Sequence, residues 1–341
     1  MSSIPVNTDF PDSRMAAPDP VPDSAAAGLA LGYLVFAVRR PSRWDRFCRD
    51  MLGLPEAVAN PDNSRGYRMD DAMQRLIVAE GAADDLAALG FACDDPAIFD
   101  TMVTRLRHMQ ITVEDGHDTL RAARRVQRLV VTHDPDGNVV ELAAGMETAP
   151  SPFASAAFPG GFHTGRLGMG HAVLVSHQLE AMEAFYTRAL GFGVSERLAT
   201  RVGPMEMKGV FLHCNARHHS IAIFDMPLQK RLQHFMLEAK EICDVGRAFE
   251  RARQEKVPIS LNLGQHPDPD GTMSFYGMTP SGFDFEIGAG GKEIEPHGWQ
   301  PLHTSVTSHW GHQPSMRLQL KMAAGIIAGK IRRTRASRTA S

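Results

Sequence analysis

The sequence predicts an α+β fold in which strands dominate, because a unit of about 140 residues occurs twice along the 341-residue chain. Residues 31–38 (LGYLVFAV) resemble residues 169–176 (MGHAVLVS), with Gly32 aligned to Gly170 at a shift of 138 residues. In both copies this apolar strand is followed by a helical pattern, a Leu-Gly stop and, later, a Pro-x-Gly turn before a last strand. A repeat of this length is too long for a solenoid and indicates a duplicated domain.

A helix is predicted after the first strand of each unit. Four apolar residues follow the i, i+3, i+4, i+7 spacing of a buried helix face in both copies: Trp44, Phe47, Cys48 and Met51, and then Met182, Phe185, Tyr186 and Ala189. Both patterns run into a Leu-Gly pair, and glycine suits the left-handed conformation that ends many helices. The helices are therefore predicted to end at Gly53 and Gly191.

A closing strand is predicted at the end of each unit, after the turns DPDG at 134–137 and TPSG at 279–282. Each strand carries a glutamate four residues after the turn glycine, Glu141 in the first unit and Glu286 in the second. The glutamates are 145 residues apart, so the second unit contains seven residues more than the first.

The remaining segments differ in composition from the two units. Residues 1–28, rich in Pro, Ser, Ala and Asp, are predicted to form a mobile N-terminal arm. The first unit spans 29–146 and the second 168–290, and the Pro-, Ser- and Gly-containing stretch 147–167 is predicted to link them. Residues 291–341 form a C-terminal segment that, from Met316 onward, contains seven Lys or Arg and no acid. We expect this basic tail to be mobile and solvated, the alternative being contact with an anionic partner.

The composition argues against several classes of function. A net charge of −3 argues against nucleic acid as a partner, and the absence of an 18-residue apolar run argues against a membrane span. The four cysteines include no CxxC pair, so the sequence predicts neither a disulfide framework nor a zinc knuckle, and the cytoplasm is the simplest location. Twelve of the 15 histidines lie at or after His163, which points to chemistry in the second half.

The two units differ at aligned strand positions. The aligned pairs are Tyr33 with His171, Gly90 with His234, and Glu141 with Glu286. Two histidines and one carboxylate on one face leave three coordination positions open, as in the facial triad of non-haem Fe(II) oxygenases. Open positions let a metal hold a bidentate substrate and a gas molecule together. The alternative, that the histidines are ordinary hydrogen-bonded strand residues, is weakened by their equivalent placement. Glu141 has no histidine partners and is predicted to be structural.

Further motifs in the second unit complete a family pattern. They are Gly170-His171, NARHHSIA at 215–222, LQHFMLE at 232–238, GQH at 264–266, SFYGMTPSGFDFE at 274–286 and WGH at 310–312. On these residues the chain resembles the type I extradiol ring-cleaving dioxygenases of the vicinal oxygen chelate superfamily, most of all their 2,3-dihydroxybiphenyl and 1,2-dihydroxynaphthalene branch. The resemblance extends from Leu31 to His312. It implies two tandem vicinal-oxygen-chelate modules built of paired βαβββ units.

The resemblance also implies an activity and a metal. The activity is extradiol cleavage of a bicyclic or substituted catechol by O2 in aromatic compound degradation, carried out by a homo-oligomer. His171, His234 and Glu286 would hold Fe(II), or less often Mn(II). Fe(II) supplies a redox step that protein side chains cannot.

Roles for the residues around the metal follow from the same resemblance. His219 would be the acid–base histidine, because an imidazole with a near-neutral pKa can take the proton that a catechol loses. His266 and Tyr276 would hydrogen-bond the substrate oxygens, and Asp270 would orient His266. The loop after His266 is one residue longer than the family usually has, so the choice between Asp268 and Asp270 stays open.

Two pocket residues and one histidine pair need separate treatment. Val173 and Phe211 would line the aromatic pocket by the same resemblance, with plain core packing as the alternative. Neighbouring strand residues point to opposite faces, so only one of His218 and His219 is expected to face the metal. This alternation cannot choose between them, whereas the family pattern selects His219 and leaves His218 on the other face.

Other enzyme signatures are missing, and two alternative functions remain at this point. The sequence contains no dinucleotide-binding glycine motif in a βαβ context, no P-loop and no HExxH zinc motif. A glyoxalase-like isomerase on the same scaffold would need a further carboxylate at the metal. A protein that only binds aromatic compounds would need neither the triad nor the pair formed by His219 and Tyr276.

Overall fold

The computed structural model describes residues 29–202 and 205–316. The predictions for the N-terminal arm and for the basic tail beyond Met316 lie outside the described residues. Among the described helices, none combines the length and the apolar character that a membrane span requires.

The first module is built on an eight-stranded sheet. Its strands are β1 (Leu29–Val38), β2 (Val58–Ala59), β3 (Arg65–Tyr67), β4 (Leu76–Glu80), β5 (Asp85–Cys93), β6 (Glu114–Asp115), β7 (Val126–His133) and β8 (Val139–Met146). Its helices are α1 (Pro41–Arg46), α2 (Pro96–His108) and α3 (Asp118–Arg124).

The second module is built on a ten-stranded sheet. Its strands are β9 (His171–Val175), β10 (Gly193–Val202), β11 (Met205–His213), β12 (Ile221–Phe224), β13 (Leu232–Glu238), β14 (Ile259–Gln265), β15 (Met273–Met278), β16 (Asp284–Ala289), β17 (Leu302–Thr304) and β18 (Trp310–Gly311). Its helices are α4 (Leu179–Ala184) and α5 (Ile242–Gln254).

Both sheets follow one pairing rule. In each βαβββ unit the last strand pairs in parallel with the first, as β1 does with β4, β5 with β8, β9 with β12 and β13 with β16. The two units of each module then join antiparallel through their first strands, β1 with β5 and β9 with β13. The predicted α+β fold with two modules of paired βαβββ units is therefore confirmed.

The helix after the first strand has an unpredicted feature in both modules. α1 continues into a wider π-helical turn at Phe47–Met51, and α4 continues into another at Phe185–Ala189. Both segments end before a glycine with positive φ, Gly53 at 61° and Gly191 at 72°, as the sequence predicts. The apolar spacing fixes which face is buried but not how widely the last turn is wound.

The described part of the C-terminal segment joins the two edges of the second sheet. β17 pairs with β10 at one edge and β18 pairs with β14 at the other, although only residues 305–309 separate these short strands. The chain must therefore pass from one edge of the curved sheet directly to the other. This crossing, which we call the C-terminal strap (residues 302–312), closes the open side of the second module.

The modules share one apolar core. The ring of Phe36 in the first module lies 5.4 Å from that of Phe235 and 5.3 Å from that of Phe283 in the second. Trp44 stacks on Phe36 at 4.9 Å, and its indole nitrogen donates a hydrogen bond of 2.9 Å to Ser281 Oγ across the boundary. Aromatic ring pairs such as these each contribute about 0.5–1.5 kcal/mol beyond the contribution of the surface area that they bury.

The stretch between the modules is packed rather than solvated. Residues 147–164 contain no strand or helix, yet Phe158 and Phe162 are buried, and their rings lie 4.6 Å apart. Arg251 of α5 lies over the Phe158 ring at 4.9 Å. These contacts tie the connection to the second module.

Candidate metal centre

Three adjoining strands of the second sheet position the predicted metal ligands. His171 is the first residue of β9, His234 the third of β13 and Glu286 the third of β16. Met236 of β13 lies opposite both His171 and Glu286 in the register, and His234 precedes it by two residues. Because alternate residues share a face of a sheet, the three side chains project to the same side.

The three ligand atoms converge. His171 Nε2 lies 3.1 Å from His234 Nε2, and each of these nitrogens lies 3.1 Å from Glu286 Oε2. All three residues are buried, and neither carboxylate oxygen of Glu286 accepts a hydrogen bond from the part of the chain that the structure describes. A buried carboxylate without hydrogen-bond donors is costly unless a cation neutralises it. The donor set therefore fits a divalent metal.

The charges of the ligands favour metal binding as well. Burial lowers the pKa of His171 to about 4 and keeps its imidazole neutral, although Glu286 acts in the opposite direction. Burial alone would raise the pKa of Glu286, but the imidazoles of His171, His234 and His266 outweigh it and hold that pKa well below its usual value. A neutral imidazole beside an ionised carboxylate is the state that coordinates a metal.

The aligned position in the first module is filled by side chains. The Tyr33 hydroxyl donates to Glu141 Oε2 at 2.6 Å, and Arg124 donates to both oxygens of Glu141 at 2.8 and 2.9 Å. A Cβ at Gly90 would lie 2.2 Å from the Tyr33 ring, so glycine is needed there for the ring to fit. Among the described residues, the groups that could hold a metal all lie in the second module.

His219 lies directly beside the three ligands. Its ring centroid is 4.0 Å from that of His171 and 5.0 Å from that of Phe211. Burial, followed by the neighbouring His171 and His218, lowers the pKa of His219 well below its usual value. The imidazole is therefore neutral and able to accept a proton.

The prediction that His218 lies on the opposite face from His219 is wrong. The two Nδ1 atoms are 3.0 Å apart, and both rings lie near Phe211, at 5.9 and 5.0 Å between centroids. Both histidines belong to the irregular stretch between β11 and β12, where strand alternation does not apply. His218 Nε2 lies 3.8 Å from a carboxylate oxygen of Glu196, which the sequence analysis did not single out.

His266 and Tyr276 form a pair at the other side of the ligands. The Tyr276 hydroxyl lies 2.9 Å from His266 Nε2, which itself lies 3.4 Å from Glu286 Oε1. The Tyr276 ring meets that of His234 edge-on at 5.0 Å. Burial and then the charge of Glu286 raise the pKa of Tyr276 well above its usual value, so the phenol keeps its proton.

The expected contact between Asp270 and His266 is not formed. His266 Nδ1 lies 2.7 Å from the carbonyl oxygen of Thr307, which can only accept, so this nitrogen carries the hydrogen. Asp270 instead accepts a 2.6 Å hydrogen bond from Thr272, and Asp268 pairs with Lys292. The C-terminal strap thus supplies the hydrogen-bond partner of His266 Nδ1.

Asp270 nevertheless lies at the site. Its carboxylate and the nearest ring nitrogens of His218 and His219 all lie within 4.8 Å of one another. These three residues, with His171 and Met236, line part of a cavity of about 50 Å³ beside the metal ligands. Asp270 thus borders His218 and His219.

An apolar wall completes the site. Val173 belongs to a buried cluster with Leu198, Ala222 and Phe224, and Phe211 packs against that cluster. The Phe211 ring also contacts His219, so this wall reaches the histidine that lies beside the predicted metal ligands. Apolar walls with a few converging polar groups are typical of small-molecule sites.

Two site residues on the C-terminal strap were missed in the sequence analysis. Thr307 binds His266 through its backbone carbonyl, a contact that no side-chain motif could reveal. The ring centroid of His312 lies 4.6 Å from that of His266 and 5.5 Å from that of Tyr276. The motif WGH at 310–312 was the only sequence signal for it, and it carried no assigned role.

Comparisons with known proteins agree with this geometry. Residues 168–287 match the family model described as Glyoxalase/Bleomycin resistance protein/Dioxygenase superfamily, and residues 31–81 match the one described as Dihydroxybiphenyl dioxygenase BphC D1. The chain is 39% identical to 3-methylcatechol 2,3-dioxygenase of Pseudomonas putida F1, over 83% of this chain and 97% of the relative. It is 37% identical to biphenyl-2,3-diol 1,2-dioxygenase of Paraburkholderia xenovorans LB400, over 83% and 95% of the two chains. The crystal structure of a catechol 2,3-dioxygenase superposes with a TM-score of 0.78 at 31% identity, covering 84% of this chain and 95% of the other.

Proposed function

The chain belongs to the extradiol dioxygenases of the glyoxalase/bleomycin resistance protein/dioxygenase superfamily and is an extradiol catechol dioxygenase, and on that premise we propose the details of its reaction. We propose that it uses Fe(II), held by His171, His234 and Glu286, to open a bicyclic or substituted catechol beside its two hydroxyl groups. The observation that carries this proposal is the buried Glu286 carboxylate, which has two imidazole nitrogens at 3.1 Å and accepts no hydrogen bond from the described residues. When bound, Fe(II), or Mn(II) in its place, would supply the redox chemistry that side chains lack.

His219 is proposed as the acid–base group. Its Nδ1 faces His218 at 3.0 Å, which leaves Nε2 to face the substrate. Because the imidazole is neutral, Nε2 can take the proton of a catechol hydroxyl and can later return it to an oxygen of the opened ring. The His219 ring lies 4.0 Å from that of His171 between centroids, which would place this nitrogen beside the ligand set, where the hydroxyls of a chelating catechol would lie.

His266 and Tyr276 are proposed to orient the substrate oxygens. A neutral phenol can donate a hydrogen bond without competing as an anionic ligand, and burial keeps Tyr276 in that state. Donors fixed before the reaction stabilise charge that develops on oxygen. Val173 and Phe211 would bind the apolar part of the ring system, and Asp270 would border His219 in the same cavity.

The substrate class rests on the relatives, whose names specify 3-methylcatechol and biphenyl-2,3-diol. We further propose that the enzyme acts in aromatic compound degradation in the cytoplasm, as a homo-oligomer. All four cysteines are unpaired, and Cys48, Cys93 and Cys214 are buried, which agrees with a reducing compartment. Light scattering of the purified protein tests the oligomeric state.

The direct test is anaerobic reconstitution with Fe(II), followed by addition of 2,3-dihydroxybiphenyl or 3-methylcatechol in air. We expect a rising visible absorbance from a yellow ring-opened product, with an equal amount of oxygen consumed. A protein that retains iron but consumes no oxygen with either compound would contradict the proposed substrate class, and one that binds no iron would contradict the proposed metal centre.

The ligand assignment has its own test. His171→Ala and His234→Ala are expected to lose bound iron and ring cleavage while keeping the far-ultraviolet circular dichroism spectrum of the fold. The matched control is His177→Ala, since His177 is an exposed histidine just beyond β9 that pairs with Asp225. Full iron content in either ligand variant would contradict the assignment.

A further inference from the structure

The C-terminal strap supplies a residue to the site that the proposed mechanism does not use. We propose that His312 is a positioning residue, which fixes the ring of His266 so that its Nε2 meets Tyr276 and the metal ligands at the required angle. This inference rests on the proposed function, because it assigns His312 a role through His266.

The contacts of His312 leave its ring one orientation. It is only 7% exposed, and its Nε2 lies 3.1 Å from Ser274 Oγ while its Nδ1 lies 2.7 Å from Ser308 Oγ. With both nitrogens held, the ring can neither flip nor swing. Its face then lies against His266, at a centroid distance of 4.6 Å and an interplanar angle of 41°.

The backbone of the strap is held just as firmly. β18 pairs with β14 through Gly264 and Gly311, and a Cβ on Gly264 would lie 2.3 Å from the backbone nitrogen of His312. Gly311 has φ 70°, and a Cβ there would lie 2.2 Å from the carbonyl oxygen of Leu263. This close approach requires glycine on both strands. The backbone of the strap is therefore held at a fixed distance from β14, the strand that precedes His266.

His266 needs this support because its own loop does not provide it. Asp268 and Asp270 pair with Lys292 and Thr272 instead, and the polar contacts of the ring are the Thr307 carbonyl at Nδ1 and the Tyr276 hydroxyl at Nε2. These two contacts lie at the edge of the ring and leave it able to tilt about the line through its two nitrogens. Contact with the His312 face opposes that tilt and so sets the plane of the ring in which Nε2 meets Tyr276.

The test compares His312→Leu with His309→Leu, because His309 is an exposed histidine of the same strap. We expect His312→Leu to lower kcat about tenfold or more with KM changed less than about threefold, since misplacement of a reacting group costs rate more than binding. The iron content should equal that of the wild-type enzyme, and His309→Leu should match wild type in every measurement.

A double-mutant cycle with His266→Ala separates positioning from general stability. If His312 acts through His266, the double variant has the kcat of His266→Ala alone. Multiplied losses in the double variant, or an unchanged kcat in His312→Leu, would overturn the inference. Wild-type enzyme without ring-cleaving activity would instead overturn the proposed function and this inference with it.

A milder variant covers the case in which His312→Leu fails to fold. Ser308→Ala removes only the partner of Nδ1 and keeps the ring in place. A smaller loss of kcat, which disappears in the His266→Ala background, supports the inference. A normal kcat in the double variant Ser274→Ala/Ser308→Ala, which removes the partners of both ring nitrogens of His312, would overturn the inference.

Discussion

At the scale of single residues, Glu141 and Glu286 show how neighbours decide what a buried carboxylate does. Both stand at the same position of a closing strand, and both are 1% exposed. Arg124 neutralises the charge of Glu141, and Tyr33 donates a hydrogen bond to it. The buried carboxylate is therefore fully paired within the protein. Glu286 is surrounded by imidazoles that are buried in their neutral form, and its oxygens are therefore available to a cation. The prediction that Glu141 is structural agrees with these contacts.

The proposed acid–base role of His219 leads to the first residue-scale prediction. His219→Ala should keep its iron, because the imidazole lies against the ring of His171 but does not belong to the converging group of His171, His234 and Glu286. Its turnover should fall roughly 10²–10⁴-fold, the usual contribution of a general acid–base group. Steady-state oxygen uptake and iron analysis of the same sample check both statements. Loss of iron from this variant, with His309→Ala fully loaded, would contradict the separation of the two roles.

Glu196 provides a prediction for stability against pH. Burial, and then the charge of Asp270, raise the pKa of its carboxyl from 4.5 to about 7. Between pH 4.5 and 7 the unfolded chain loses this proton while the folded chain retains it, so the folded state loses stability as the pH rises through that window. Glu196→Gln keeps the shape without the charge. The melting temperature of Glu196→Gln, minus that of the wild type at the same pH, should therefore increase from pH 5 to pH 8.

The matched control for Glu196→Gln is Glu206→Gln, in an exposed residue of the neighbouring strand β11. Melting curves of both variants and the wild type at several pH values decide the matter. A difference between Glu196→Gln and wild type that stays constant across this range would contradict the prediction.

Prediction from sequence worked at this scale where strand periodicity or duplication applied. The convergence of His171, His234 and Glu286 could be predicted because His171 and His234 replace residues of other types at aligned positions of the first unit. The predicted orientation of His218 was wrong because this residue lies in an irregular stretch of chain. The predicted partner of His266 was wrong because a backbone carbonyl 41 residues away accepts the hydrogen bond from its Nδ1. Local spacing carries no information on either contact.

At the scale of elements, the close packing of β9 against β13 sets the position of the first ligand. Gly170 precedes β9 with φ 135°, and a Cβ there would lie 1.9 Å from the carbonyl oxygen of Met236. Met236 lies opposite His171 in the register, so this contact holds the start of β9 against β13. The repeat predicted both strands and the glycine, but the register between β9 and β13 is a long-range pairing that one sequence does not reveal.

Gly170→Ala is the corresponding prediction. The added methyl group cannot be accommodated without moving β9 away from Met236, and His171 moves with it. We expect weaker iron binding, by at least about tenfold in the dissociation constant, and a lower free energy of unfolding by about 1–3 kcal/mol. Metal titration followed by urea unfolding measures both quantities.

Gly246→Ala is the matched control for this variant. Gly246 lies within α5, and a Cβ there meets no atom within 4 Å. Alanine at such a helix position should stabilise the fold by about 0.5–1 kcal/mol and leave iron binding unchanged. Equal effects of the two substitutions would contradict the argument from close approach.

At the scale of the whole molecule, the two modules behave as one structure because their cores are continuous. The duplication, the helices that follow β1 and β9, and the closing strands were predictable, since each depends on patterns within one unit. The contact of Phe36 with Phe235 and Phe283 was not, because apolar periodicity identifies a buried face without naming what covers it. The same limit hid the C-terminal strap, whose two strands are only three and two residues long.

This continuity predicts cooperative unfolding, which Trp44→Ala tests. Trp44 belongs to the first module but contacts Phe283 and donates to Ser281 of the second, and it is 1% exposed. Its removal should lower the free energy of unfolding by about 3–5 kcal/mol. The loss should appear equally in circular dichroism, which reports both modules, and in release of iron, which reports the second alone.

The matched control is Trp310→Ala. Trp310 is 47% exposed, so its removal should lower the free energy of unfolding by less than about 1 kcal/mol. If iron release kept its wild-type midpoint while the circular dichroism curve split in two, the modules would be independent, and the metal centre would not depend on the first module for its stability.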